Sequence, residues 1–141
     1  MPGLSPKLPI ARDKQDGYAL TKTYEEMIQQ NLKNLLLTVP GERMMDPDFG
    51  VGLKTFLFEQ HSYETYSEIF SKSLEQVQKY MPFLNLERME FYGPDGIWTT
   101  DDGYITNEPQ PDADPNLLQI RMFYLVVPVD TFDSLDLDFA V

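Results

Sequence analysis

Cysteine is absent from the 141 residues, which excludes disulfide staples, thiolate metal sites and cysteine nucleophiles together. Histidine is almost as scarce. His61 stands alone, too little for a zinc site built from His and Cys ligands. Basic residues are few, 11 Lys and Arg against 23 Asp and Glu, so the formal net charge is −12. Such a field repels phosphate backbones and anionic lipid unless a basic cluster offsets it. Lys7, Arg12, Lys14 and Lys22 are spread out and form no cluster. The expectation is no nucleic acid and no membrane, and a partner with a basic surface. No apolar run approaches the ~20 residues that span a bilayer. The N-terminal stretch is interrupted by Pro2, Pro6 and Pro9 and has no signal-peptide core. A soluble protein without an export signal is expected.

What is present reads as helices followed by strands. The early prolines remove backbone donors and bias their predecessors away from helix. Residues 1–20 therefore read as an extended N-terminal arm, and residues 21–141 as a single domain long enough to bury a core. Thr23-x-x-Glu26 has capping-box spacing. Behind it Ile28, Leu32, Leu35, Leu36 and Val39 share one helical face until Pro40-Gly41. Leu53, Phe56, Leu57 and Phe58 suit a short helical turn. A further helix starts after Ser62 and runs to Tyr80, with Tyr66, Ile69, Phe70, Leu74, Val77 and Met81 at helical period. Beyond Pro82 strands are expected at Leu84–Tyr92, 97–100 and 104–106, with turns at Gly93-Pro94-Asp95-Gly96 and Asp101-Asp102-Gly103. Residues 107–116 read as a loop. Leu117–Val129 is the strongest strand, and its Pro128 points to a sheet edge. Leu135, Leu137 and Phe139 then alternate with Asp136 and Asp138, the period of a half-buried strand. The expected fold is α+β, with N-terminal helices packed on a mainly antiparallel C-terminal sheet.

Few constellations carry chemistry. Phe49-Gly50-Val51-Gly52 lacks the glycine spacing and the Lys-Ser/Thr pair of a phosphate loop; its glycines read as close packing or positive φ. A glycosidase needs two carboxylates held about 5–9.5 Å apart. Glu42, Asp46, Asp48 and Glu59 are the acidic residues clustered near structured apolar sequence. His61, beside Ser62, reads as a helix-start residue and not as a base. No catalytic, cofactor or metal site is assigned, and the chain is not read as an enzyme. Gly41-Glu42-Arg43 is a helix-exit turn with a local ion pair, or a charged platform held at low ordering cost by its restricted flanks. The acidic tail from Asp130 is a solvated edge strand guarded by its carboxylates, or a strand that joins another protein's sheet.

The segment Asn31–Glu59 carries a further signal. A leucine-rich helix leads into Pro-Gly-Glu-Arg, a spacer, Pro47, Phe49-Gly50, Gly52-Leu53 and the aromatic-apolar Phe56-Leu57-Phe58. This combination resembles the phage baseplate wedge and sheath-initiator family, the W-type and lysozyme-like baseplate proteins related to the type VI secretion baseplate subunit. A weaker likeness extends over residues 22–129 and includes Ile120–Val126. Many relatives carry Glu-Pro-Arg after the long helix; here Leu86-Glu87-Arg88 stands, which matches the arginine at Arg88 and lacks the proline.

The resemblance implies a structural subunit of the virion tail baseplate, assembled in the host cytoplasm. It implies other wedge proteins, the tail sheath protein and a hub near the tail tube as partners, and no cofactor. It implies wedge docking through Gly41, Glu42, Arg43, Pro47, Phe49, Gly50, Gly52, Leu53 and Arg88. A sheath-facing strand is expected at Leu135, Leu137 and Phe139. The alternatives are the equivalent subunit of a type VI secretion or other contractile injection system, and an acidic peptidoglycan hydrolase.

Overall fold

The computed structural model describes residues 3–60, 62–93, 96–100, 103–106, 117–127 and 131–140. The expectations at His61, Pro94-Asp95, Asp101-Asp102, 107–116 and Pro128 fall outside them.

The segment expected as an N-terminal arm doubles back. Strand β1 (Ser5–Pro6) pairs antiparallel with β4 (Leu20–Thr21), and β2 (Arg12–Asp13) with β3 (Gly17–Tyr18). The Gln30 side chain holds this hairpin on the first helix, accepting from the Leu8 amide at 2.9 Å and donating to the Pro6 carbonyl at 2.9 Å.

Helix α1 (Tyr24–Leu37) begins at Thr23, whose hydroxyl accepts from the Glu26 amide at 3.2 Å. Glu26 completes the box one residue earlier than the usual pattern, accepting from the Lys22 amide at 3.3 Å. The helix stops at Leu37, before Pro40, because the backbone turns extended at Thr38 (φ −69°, ψ +124°), whose amide and hydroxyl still bond back to the Asn34 carbonyl. Leu53–Phe58 forms a 3-10 turn. Helix α2 (Tyr63–Tyr80) is capped by Ser62 through the Thr65 amide at 3.3 Å.

Five strands complete the fold: β5 (Leu84–Gly93), β6 (Gly96–Thr99), β7 (Gly103–Thr106), β8 (Leu117–Val126) and β9 (Thr131–Ala140). Their order is β7-β6-β5-β8-β9 and each neighbouring pair is antiparallel. The α+β expectation therefore holds, with helices on one face of the sheet. Strand β8 ends three residues earlier than expected.

The core lies between the helices and that face. Leu32, Leu35 and Leu36 of α1, Ile69 and Val77 of α2, and Met89, Phe91, Ile120, Met122 and Tyr124 of the sheet are all but sealed from solvent. Each such aliphatic side chain contributes about 1.5–3 kcal/mol on burial. Where α2 meets β5 and β6 the packing is aromatic: Tyr66 stacks on Phe91 at 4.6 Å and tilts against Trp98 at 5.7 Å. Among the described residues no helix is long and apolar enough to cross a membrane.

Candidate docking surfaces

Two surfaces collect all but one of the residues singled out above as docking positions. The first is the connector between α1 and the 3-10 turn. Its inner side is fixed to both helices. The Val51 amide bonds to the Leu35 carbonyl at 3.0 Å, and the Gly50 amide to Gln76 Oε1 at 3.0 Å. Gln76 Nε2 returns a bond to the Asp48 carbonyl at 3.1 Å. Gly50 is obligatory here, because φ is +112° and a Cβ would lie 2.0 Å from the Thr38 carbonyl oxygen. Across the mouth of the loop the Gly41 amide bonds to the Pro47 carbonyl at 2.8 Å. This bond closes the loop, and residues 42–45 between its ends are exposed.

The nine residues expected as a wedge-docking set divide by exposure. Gly41, Glu42, Arg43 and Pro47 are exposed on the connector, while Phe49, Gly50, Gly52 and Leu53 are buried beneath it. The buried four shape the platform and the exposed four form its surface. Glu42 and Arg43 are engaged separately. The Glu42 carboxylate accepts from the Val39 amide at 3.2 Å. The Arg43 guanidinium lies 3.8 Å above the Phe49 ring, which meets Tyr80 edge-on at 4.8 Å. Arg43, Phe49, Tyr80 and Phe83 line a cleft of about 270 Å³ beside α1. Burial first, and Asp46 second, push the Tyr80 hydroxyl pKa up.

Arg88, the ninth, lies elsewhere. It follows a bulge in β5 between Leu86 and Arg88, after which Met89 and Phe91 turn into the core. Arg88 is left on the outer face of the sheet, 4.3 Å over the Phe123 ring and 3.4 Å from Glu90 Oε1. The bulged position, Glu87, is the one the resemblance matches to a proline. Proline is tolerated at bulges because the ladder there needs no amide donor.

Met44 and Met45 were missed in the sequence. They are 95% and 98% exposed, side by side at the tip of the connector. Two adjacent unbranched apolar side chains in a loop belong to no helical or strand period. Their setting between φ-restricted residues was the only signal.

The second surface is β9. No described strand pairs with its outer side. Along an antiparallel strand the amide and carbonyl of one residue point to one neighbour and those of the next residue to the other. The Thr100 amide bonds to the Met89 carbonyl, and the Met89 amide to the Thr100 hydroxyl, each at 3.3 Å, so Met89 faces β6. Carried through the registers of β5, β8 and β9, this assigns Asp133, Leu135 and Leu137 to the bonds with β8. Phe132, Ser134, Asp136 and Asp138 then face the open edge. The Ser134 amide agrees, since it donates to Asp133 Oδ1 at 2.8 Å. Leu135 and Leu137 are themselves buried, 8% and 3% exposed. They anchor the strand, and its open side is carried by the alternate residues. Phe139 lies within the same strand.

The root of β9 is tied down. Asp133 Oδ2 accepts from the Tyr124 hydroxyl at 2.8 Å and from Gln29 Nε2 at 2.9 Å, joining β9 to β8 and α1. Burial first, and Asp133 second, raise the Tyr124 pKa. On the outer face Arg121 pairs with Asp136, and that bond raises the Arg121 pKa. Among the described residues no group of His, Asp and Glu could hold a metal ion.

Comparison with known proteins adds to this geometry. The family model described as baseplate wedge protein gp25 matches residues 22–102. In fold, the chain is similar to a protein of Geobacter sulfurreducens provisionally assigned as a tail lysozyme, with TM-score 0.63 and 22% identity over 87% of this chain and 96% of that one. It is also similar to a chain of the anti-feeding prophage baseplate, with TM-score 0.64 and 23% identity over 86% and 83% of the two chains. No curated protein matches.

Proposed function

The chain belongs to the family of baseplate wedge protein gp25, and we propose that within a contractile tail it docks on the wedge core and starts sheath assembly. The observation that carries the sheath role is β9, an edge strand whose outer side no described strand pairs with while its leucines hold it in the core. An unpaired edge is a template for another chain's strand. Wedge docking rests on the cross-linked connector, which presents Glu42, Arg43, Met44 and Met45 at little ordering cost. The role is structural and needs no cofactor.

The partners under this reading are other wedge proteins, the sheath protein and the hub near the tail tube. The site of action is the virion baseplate, after assembly in the host cytoplasm. The likeness to an anti-feeding prophage baseplate chain favours a second version of the same role, in a contractile injection system and not a phage. The same docking and strand addition would serve there.

The test is complementation of a tail-forming system with the Ser134→Pro/Asp138→Pro variant. Baseplates should form without sheath. Normal sheath on that variant would remove the strand role. The hydrolase alternative is checked in parallel with purified protein on cell-wall substrate. Turnover abolished by Glu42→Gln would replace the structural reading.

A further inference from the structure

Beside β9, on the helix side of the sheet, a cleft of about 600 Å³ opens between the N-terminal hairpin and α1. Leu135 of β9, Leu37 of α1, and Leu8 and Pro9 of the hairpin supply its apolar lining, and Lys7, Thr21 and polar side chains of α1 from Glu26 to Asn34, Lys33 among them, line the rest. Leu8 is 48% exposed. The cleft and the open edge therefore share Leu135, a residue of the strand that offers the edge.

A strand added to β9 alternates its own side chains between the two faces of the sheet. Those on the helix side follow the row of Leu135 and Leu137 and meet the cleft. Those on the other side lie beside Phe132, Ser134 and Asp136, at the margin of a protein of net charge −12. We infer that the cleft between the N-terminal hairpin and α1 receives an apolar side chain of the incoming strand, so that this surface selects an extended partner segment in which apolar and basic residues alternate. The inference rests on the reading of β9 as a strand-accepting edge, and it gives the N-terminal hairpin a role. Held on α1 by Gln30, the hairpin forms the far wall of a specificity pocket and is not a free arm. A helical partner would not pair with the outward backbone groups of β9, as an added strand does. Pairing with a second copy of β9 would set Asp136 against like charge.

The absence of cysteine allows a single-site probe in the full chain. Leu8→Cys carrying an environment-sensitive fluorophore reports on the cleft, and Met45→Cys carrying the same dye reports on the connector. The ligands are two synthetic peptides of one composition, one alternating leucine and lysine, the other with the leucines and lysines in separate blocks. The alternating peptide is expected to saturate a blue shift at position 8, leave position 45 silent, and bind at least tenfold more tightly than the block peptide. Calorimetry on unlabelled protein should show that binding lost in Ser134→Pro/Asp138→Pro and weakened at least tenfold in Lys33→Trp, which fills the cleft from an exposed position. Binding lost with the prolines but unchanged by Lys33→Trp, with a silent dye at position 8, overturns the cleft and leaves the edge. Binding indifferent to the prolines overturns both. Equal behaviour of the two peptides, including no binding by either, overturns the selection rule.

Discussion

The Arg43 guanidinium lies 3.8 Å above the ring of Phe49, so an exposed charge of the connector rests directly on one of its buried supports. The stack orients Arg43 outward without consuming it in an ion pair. Exposed cation–π contacts contribute only about 0.5–1 kcal/mol. Arg43→Ala should therefore lower unfolding stability by less than about 1 kcal/mol while markedly reducing incorporation into baseplates, measured by quantifying the chain in purified particles. Full incorporation of a folded Arg43→Ala protein would remove Arg43 from the docking surface.

Gly50 and Gly41 both have positive φ, but only Gly50 is crowded. A Cβ at Gly50 would strike the Thr38 carbonyl oxygen, whereas at Gly41 nothing lies within 4 Å. Gly50→Ala should cost roughly 2–4 kcal/mol from conformational strain plus overlap. Gly41→Ala should cost about 1–2 kcal/mol from strain alone. Urea titration of the two variants gives the ordering, and equal midpoints would contradict the close approach at Thr38.

Proline separates the two sides of β9. Leu137→Pro removes both a buried side chain and a ladder bond to β8, and should unfold the domain or lower its stability by more than 3 kcal/mol, roughly the cost of an interior proline plus a core truncation. Ser134→Pro faces the open edge and should remain folded, as prolines do on edge strands. Circular dichroism melts of the two proteins distinguish them. Similar melting points would show that the strand has the opposite facing.

Tyr124 makes stability depend on alkaline pH. Burial, then its bond to Asp133, raises its folded pKa above the unfolded value, so the folded state holds the proton longer. That contribution is complete below the unfolded pKa near 10 and is lost as pH rises through the folded value. Tyr124→Phe should cost about 1–2 kcal/mol at pH 7 and should remove part of the loss of stability above pH 10. Denaturant midpoints at pH 7 and above 10 test both statements.

Much of the fold was legible because caps and periods were explicit. Thr23 and Ser62 announced both helices, and the helical rows behind them became core. Less was legible where backbone pairing, not pattern, decides. The Glu87 bulge shifts the inward row from Leu84 and Leu86 to Met89 and Phe91, which strict alternation through β5 would not give. The N-terminal hairpin is two short ladders among prolines, with no alternation to reveal it. At the candidate sites, the connector was readable from its restricted residues. The burial of Phe49 and Leu53, the exposure of Met44 and Met45, and the inward facing of Leu135 and Leu137 depend on contacts between distant segments.

A cryo-EM map of purified contractile tails is the decisive measurement. This chain should lie at the junction of baseplate and sheath, with a sheath strand hydrogen-bonded to Ser134, Asp136 and Asp138 and the connector tip against the wedge. An intact baseplate in which the outer edge of β9 faces solvent, with sheath attached elsewhere, would contradict this placement.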